Sequence, residues 1–116
     1  MEAMNYDLEE RTLKFSKEVL IFLSGLTSSP INNPIISQLV RSATSVGANY
    51  REANAASSKK DFKNKISISR KEANETKYWI ELLGNIEYDK EELRKFWQEA
   101  HELSLIFGKI FHSLTS

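Results

Sequence analysis

The sequence predicts an all-α protein that folds as an antiparallel up-down-up-down four-helix bundle. Apolar residues recur at alternating steps of three and four in four segments, which is the spacing of one helix face. Glycine and proline are scarce, at four and two residues in 116, and strand-like alternation is missing from the sequence. The segments are joined by short links, as in bundles whose successive helices run antiparallel.

The first two helices are predicted from their apolar rows and from the break between them. The first row runs from Leu8 to Leu26, and the stretch TSSPINNP then interrupts the pattern. Asn32 or Asn33 can cap the second helix, with Pro34 in its first turn, where a missing N–H breaks no helical hydrogen bond. The inward row of the second helix is Ile36, Leu39, Val40, Ala43, Val46, Gly47, Tyr50 and Ala53.

The third and fourth helices show the same rhythm. Ser57 or Ser58 can cap the third, whose inward row is Phe62, Ile66, Ser69, Ala73, Thr76, Ile80 and Leu83. The stretch GNIEYDKEE ends it, and Asp89 is the candidate cap of the fourth helix. The last row is Leu93, Phe96, Ala100, Leu103, Phe107, Ile110 and Leu114. Since no linker or internal repeat interrupts the chain, residues 1–116 are predicted to form one domain.

Composition and motifs exclude several classes of protein. The chain has no cysteine, which excludes a disulfide scaffold and a thiolate zinc site, and no apolar run is long enough to cross a membrane. The acidic start MEAMNYDLEE does not resemble a signal peptide, so we expect a cytoplasmic protein. His101 and His112 lie about three turns apart, too far to share a metal, and no Glu-x-x-His motif occurs. We therefore expect no enzymatic activity, no metal and no cofactor.

The outward side of the second helix is poor in charge. At about 100° per residue, the residues opposite its apolar row are Gln38, Arg41, Ser42, Ser45, Asn49, Glu52 and Ala56. An exposed helix face usually carries more long charged side chains, whereas small residues let another backbone approach closely. This face is either a weakly polar surface or a contact with another subunit, and we favour the contact.

A second stripe on the third helix favours the same interpretation, because it adds Trp79 and other apolar residues outside the inward row. Its members are Ile68, Glu72, Glu75, Trp79, Leu82 and Ile86. Arg41 can pair with Glu72 or Glu75, within the chain or across an interface. The predicted oligomer interface comprises Arg41, Ser45, Asn49, Glu52, Glu72, Glu75 and Trp79.

The third helix also carries a basic strip, in which Glu81 is the only acid. Its members are Lys59, Lys60, Lys63, Arg70, Lys71 and Lys77. Such a row can meet phosphates and release their counterions, so it is a candidate nucleic-acid-binding site; the alternative is a merely solvated face. The formal net charge is zero, with 16 basic and 16 acidic residues, which is unlike a strongly cationic nucleic-acid binder.

The chain resembles the four-helix-bundle proteins encoded by intervening sequences in bacterial 23S ribosomal RNA genes. The resemblance lies in DLEERTLKFSKEV, in the long stretch from PIISQLV to WIELL, and in the fourth helix. Its specific part is RS at 41–42, SVGAN at 45–49, REA at 51–53 and KEANE at 71–75. A related branch is the accessory variability determinant of diversity-generating retroelements, which binds nucleic acid and a reverse transcriptase.

This resemblance implies a bundle that assembles as a homopentameric ring and has no catalytic residues. It also implies RNA or DNA as a partner and, from the related branch, a protein similar to a reverse transcriptase. The basic strip favours a nucleic-acid-binding module, whereas the neutral net charge favours a protein-interaction scaffold. A third alternative, a small-molecule sensor, requires a large apolar cavity inside the bundle.

Overall fold

The computed structural model describes the backbone of residues 2–86 and 89–114, with side chains from Asp7 onward. These residues form four helices, which are α1 (Glu2–Ser24), α2 (Asn32–Asn54), α3 (Lys59–Leu83) and α4 (Lys90–Ser113). Successive helices run antiparallel in an elongated bundle of 45 × 22 × 20 Å. The predicted all-α four-helix bundle is confirmed. Residues 87 and 88 of the predicted GNIEYDKEE connection, and residues 1, 115 and 116 of the predicted domain, lie outside the described part of the chain.

Two of the three predicted helix caps are confirmed. The side chain of Ser58 accepts a hydrogen bond from Asp61 N at 3.0 Å, and Asp89 Oδ1 accepts from Glu92 N at 3.2 Å. The prediction for α2 is wrong, because the helix begins at Asn32 and neither asparagine caps it. Instead, Asn32 N donates to Ser29 Oγ at 2.9 Å, so a serine in the preceding turn provides the acceptor for the first N–H group of the helix.

The predicted apolar rows meet in one core. Phe15, Tyr50, Ile66 and Phe107 are almost fully buried within it. Such side chains stabilise the fold by roughly 1.5–3 kcal/mol each before their conformational entropy is counted. Most deviations lie near the row ends, where Phe22, Leu26 and Ile110 are half-buried, but Val40 within the row of α2 is half-buried as well. The 3–4 spacing thus identified the buried face of every helix.

Ser42 is the clearest exception to the predicted faces. It was placed on the outward side of α2, yet it is fully buried, and its hydroxyl lies 3.0 Å from the Thr76 hydroxyl of α3. Nearby, Ser69 of α3 donates to the Val46 carbonyl of α2 at 2.9 Å. α2 packs against both α1 and α3, so its buried arc is wider than one apolar row, and small hydroxyl side chains fill the added part.

The two sides of α1 pack in different ways. Toward α2, Gly47 lies directly against Thr12, and a Cβ added at Gly47 would lie 2.8 Å from the threonine Oγ1. Toward α4, aromatic rings separate the backbones: the Phe96 centroid lies 6.4 Å from Phe15 and 5.5 Å from Phe22. A surface groove of about 900 Å³ opens between α1 and α4 as a result.

Candidate functional site

The six cations of the predicted basic strip form two groups on α3. Lys59, Lys60 and Lys71 are exposed on its outward side. Lys63, Arg70 and Lys77 are half-buried and recur every seven residues, which is close to two helical turns and keeps them on one flank. That flank faces α4. The predicted strip is therefore not one uniformly solvated face, because its second group packs against α4.

Lys77 is held by two aromatic rings of α4. Its Nζ lies 3.1 Å from His101 Nδ1 and 5.2 Å from the centroid of the Trp97 ring. Since a lysine ammonium only donates, Nδ1 of His101 is the acceptor in this contact. His101 stacks on Trp97 with centroids 5.1 Å apart, and Trp97 Nε1 donates to Glu81 Oε2 at 2.9 Å. These contacts position the ammonium against α4.

The other two half-buried cations also rest on α4. Lys63 Nζ lies over the Phe111 ring, 5.0 Å from its centroid, in a cation–π contact that leaves the charge in place. The Arg70 guanidinium covers Gly108, where an added Cβ would lie 3.4 Å from Nε. The missing side chain at Gly108 therefore lets the guanidinium lie flat against the α4 backbone.

Arg70 and Lys77, with His101 and Gly108 opposite them, line a depression that we call the α3–α4 groove, with a volume of about 660 Å³. Its lining contains three lysine or arginine side chains and no carboxylate. The lining residues are Arg70, Asn74, Lys77, His101, Ser104, Leu105, Gly108, Lys109, His112 and Ser113. An anion entering this groove would meet positive charge and hydrogen-bond donors without an acidic competitor.

Among the described residues, the basic strip concentrates on one helix, α3, cations that lack a salt-bridge partner; Lys14, Lys17 and Lys90 share this property on α1 and α4. Within residues 7–86 and 89–114, none of its six members forms a salt bridge, and neither does Lys109. Salt bridges instead engage Arg11, Arg41, Arg51, Lys65 and Lys95. Positive charge is therefore left uncompensated along one side of a neutral protein.

The predicted interface residues lie where α2 packs against α3, on the side of α3 away from α4. Arg41 pairs within the chain: its Nη1 lies 3.1 and 3.2 Å from the two Glu72 oxygens, and Nη2 bonds to Glu75. Trp79 Nε1 donates to Glu75 Oε2 at 2.9 Å. The Trp79 hydrogen bond and the Arg41 guanidinium hold the pKa of Glu75 below its ordinary value, although partial burial opposes them.

The remaining interface candidates present a flat surface on α2. Ser45 Oγ donates to the Arg41 carbonyl at 2.7 Å, and Asn49 Nδ2 donates to the Ser45 carbonyl at 2.9 Å. Glu52 binds Lys65 Nζ at 2.8 Å. Because Ser45 and Asn49 bond back to their own helix, they project little into solvent. The structure thus brings Arg41, Glu72, Glu75 and Trp79 together and places small groups beside them.

Sequence reasoning missed the contribution of α4 to the basic groove. His101, Leu105, Gly108 and His112 follow a 4–3–4 spacing beside the inward row, and that second stripe was the available signal. Lys109 adds a cation from the same helix. Among the described residues, no group of three or more histidine, aspartate or glutamate side chains could hold a metal ion. None of the helices described has the length and apolar character needed to cross a membrane.

The chain is similar to known proteins over almost its whole length. Residues 4–110 match the family model described as 23S rRNA-intervening sequence protein. The chain is also 33% identical to a protein of unknown function from the S23 ribosomal protein family of Bacteroides thetaiotaomicron, known from a crystal structure. That similarity has a TM-score of 0.84 and covers 93% of this chain and 97% of the other. No functionally curated protein matches the chain.

Proposed function

The chain belongs to the 23S rRNA-intervening sequence protein family, and we propose that it is a non-enzymatic, self-associating four-helix bundle that binds nucleic acid. The observation that carries the proposal is the uncompensated charge of the basic strip. Its cations form no salt bridge in the described residues, and Arg70 and Lys77 line a groove without acids. Phosphate groups would supply the missing counter-charge.

The neutral net charge is compatible with this proposal because the acids that form salt bridges lie away from the groove, although Glu81 lies within the strip. Glu99 and Glu102 pair with Arg11 between α1 and α4, and Glu72 and Glu75 pair with Arg41 on the α2 side of α3. At physiological salt, charges more than about 8 Å apart in water are largely screened from each other. A nucleic acid at the α3–α4 groove therefore responds chiefly to the local cations.

Self-association is supported by the flat α2 surface and by apolar residues next to it. Ile68 on α3 and Ile86, just after the end of α3, are partly exposed, and Tyr78 is 56% exposed with its ring against Trp79. A small bundle gains stability when such a surface is covered. The family resemblance implies five subunits in a ring, which would present five basic strips and strengthen weak phosphate contacts through avidity.

The proposal is tested by titrating the protein with structured RNA and with duplex DNA at low and physiological salt. In the test variant, three cations of the strip are reversed by Lys63→Glu, Arg70→Glu and Lys77→Glu. The control variant carries Lys14→Glu, Lys17→Glu and Lys90→Glu, which reverse three exposed cations of α1 and α4 that form no salt bridge. Both variants change the net charge equally and must keep the oligomeric state of the wild type.

We expect binding that weakens steeply with salt, and a loss of at least about tenfold in the strip variant, because several phosphate contacts are removed together. The control should lose much less. Absence of binding at low salt, or equal losses in the two variants, would contradict the proposal.

A protein-interaction scaffold is the second candidate, and exposed apolar side chains favour it. Ile21 is 73% exposed on α1 and Ile31 is 69% exposed before α2. A protein partner similar to a reverse transcriptase, as in the related branch, would use such residues. The α1–α4 groove offers less support to the small-molecule sensor, because it lies at the surface and carries charged residues such as Lys14 and Glu18.

A further inference from the structure

We infer that the α3–α4 groove takes a single strand of nucleic acid in preference to a duplex. This inference rests on the proposed function and specifies the ligand of its site. It starts from the position of the cations, since Lys63, Arg70 and Lys77 are half-buried against α4 while Lys59, Lys60 and Lys71 are exposed.

Recessed cations select a narrow ligand. The axes of packed helices lie about 8–10 Å apart, so the groove between α3 and α4 is narrower than a nucleic-acid duplex. A duplex can lay its phosphates against the exposed Lys60 and Lys71, but it cannot follow the groove down to Arg70 and Lys77. A single strand is thin enough to enter and to place its phosphates beside these two side chains.

The cations also extend along the groove instead of gathering at one point. Arg70 and Lys77 line the groove seven residues apart on α3, which is about 10 Å along the helix axis. Lys63 lies seven residues before Arg70 on the same flank, beyond the groove lining, and extends the line of cations to about 21 Å. Lys109 contributes from the opposite wall. A line of positive charge on both walls of a groove is suited to an extended backbone with several phosphates, as in other proteins that bind single strands.

Aromatic side chains accompany the cations on the α4 side. Trp97 and His101 stack on each other beside Lys77, and Phe111 lies under Lys63 at the other end. Leu105 lines the groove between these ends and is 56% exposed. The Trp97 and Phe111 rings are already engaged by Lys77 and Lys63, so His101 and Leu105, which line the groove, are the surfaces offered to a base. In a single strand the base faces are accessible for such contacts, whereas in a duplex they are covered by neighbouring bases.

The test compares a labelled single strand of about 12 nucleotides with the duplex of the same sequence, a length within the usual range of single-strand sites. Binding is measured by fluorescence anisotropy at several salt concentrations. The groove variant carries Arg70→Gln and Lys77→Gln, and the matched control carries Lys60→Gln and Lys71→Gln. Each variant removes two positive charges from α3 and keeps side chains of similar length.

Wild type should bind the single strand more tightly than the duplex. The groove variant should lose about tenfold or more of this affinity, and the slope of log K against log salt should fall by about 1.4, which corresponds to two lost phosphate contacts. The control should lose about threefold or less, and its slope should fall by less than that of the groove variant. Leu105→Glu places a carboxylate at an exposed position of the groove, where it does not threaten folding, and should also weaken single-strand binding.

Four outcomes would overturn the inference. Duplex binding equal to or tighter than single-strand binding would do so while leaving the proposed function intact, as would equal losses in the two double variants. If Leu105→Glu binds the single strand like wild type, the strand does not pass through the groove. Failure of every nucleic acid to bind the wild type would overturn both the inference and the proposed function.

Discussion

Arg11 of α1 donates from Nε and Nη2 to the two carboxylate oxygens of Glu99 on α4, at 2.7 and 2.8 Å. Nη2 also reaches Glu102 Oε1 at 2.9 Å. The Glu99 hydrogen bond raises the pKa of Arg11 above its ordinary value, against the effect of partial burial. This fork joins the first and last helices on the side where phenylalanine rings keep the backbones apart, so it closes the bundle.

We expect the Arg11–Glu99 pair to contribute measurably to stability. A double-mutant cycle with Arg11→Lys and Glu99→Gln should give a coupling of about 0.5–1 kcal/mol, because lysine cannot form the two parallel bonds. The measurement is the free energy of unfolding in urea. The pair between Arg51 and Glu9, at 3.8 Å and more exposed, is the control and should couple more weakly. Equal coupling in the two pairs would show that the two parallel hydrogen bonds from Arg11 to Glu99 add nothing to stability.

Gly47→Ala should destabilise the protein by about 1–3 kcal/mol, as overpacking does in a close-packed interior. The added methyl would lie 2.8 Å from Oγ1 and 3.0 Å from Cβ of Thr12, which is buried and cannot move aside cheaply. The expected loss of stability is opposite in direction to the effect of helix propensity, which favours alanine over glycine by roughly 0.5–1 kcal/mol. Thermal or chemical unfolding measures the difference.

Gly25→Ala is the matched control, since its added methyl would meet only the Phe22 carbonyl oxygen at an ordinary 3.6 Å. It should change stability little. In the double variant Thr12→Ala, Gly47→Ala, part of the loss should be recovered, because the nearest atom is removed. If Gly47→Ala is as stable as Gly25→Ala, the close contact between α1 and α2 is not rigid.

Arg41 and Glu72 of the same subunit should contribute to the free energy of unfolding in a coupled way. A cycle with Arg41→Gln and Glu72→Gln is expected to show more than about 0.5 kcal/mol, near the upper part of the range for partly exposed pairs. The reason is that the guanidinium contacts both Glu72 oxygens and Glu75. The free energy of unfolding should be measured under conditions in which the chain is monomeric, and a coupling near zero would mean that the contact is not maintained in solution.

Glu75 should make stability depend on pH in the acid range. Its folded-state pKa is lowered, so its contribution is present above the ordinary value of 4.5 and is lost as pH falls through the lower folded value. Wild type should therefore exceed Glu75→Gln in stability at neutral pH, by less than about 1 kcal/mol for so exposed a group. The difference should vanish in acid. Trp79→Phe removes the indole donor and should reduce this stability difference at neutral pH. A difference that does not change with pH would contradict the assignment of the effect to Glu75.

Ser45→Glu should weaken self-association. In the proposed assembly this position faces another subunit, and a carboxylate there would be buried without a partner. Native mass spectrometry at micromolar concentration should show an oligomer for wild type, with five subunits expected, and smaller species for the variant. Ser67→Glu, at an exposed position of α3, is the control and should assemble normally. A monomeric wild type at that concentration would exclude the proposed assembly.

Much of the fold followed from residues that act locally. A row such as Phe62 to Leu83 marks one face of a helix whatever surrounds it, because the helical period is set by the backbone. Ser58 and Asp89 were identifiable as caps for the same reason, since a cap bonds to N–H groups only three residues away. The start of α2 was predicted wrongly because Ser29, and not an asparagine, bonds to its first N–H.

The sequence by itself therefore determined the four helices, their buried faces, the stretch of residues that carries the family resemblance, and the presence of a basic strip on α3. Tertiary structure decided which side chains meet across helices. It buried Ser42, paired Arg41 with Glu72 inside the chain, and laid Lys77 against His101 in a groove without acids. The physical reason is that periodicity fixes the angle of a residue around its own helix, whereas its partners depend on how neighbouring helices are rotated and spaced, and no local pattern records that packing.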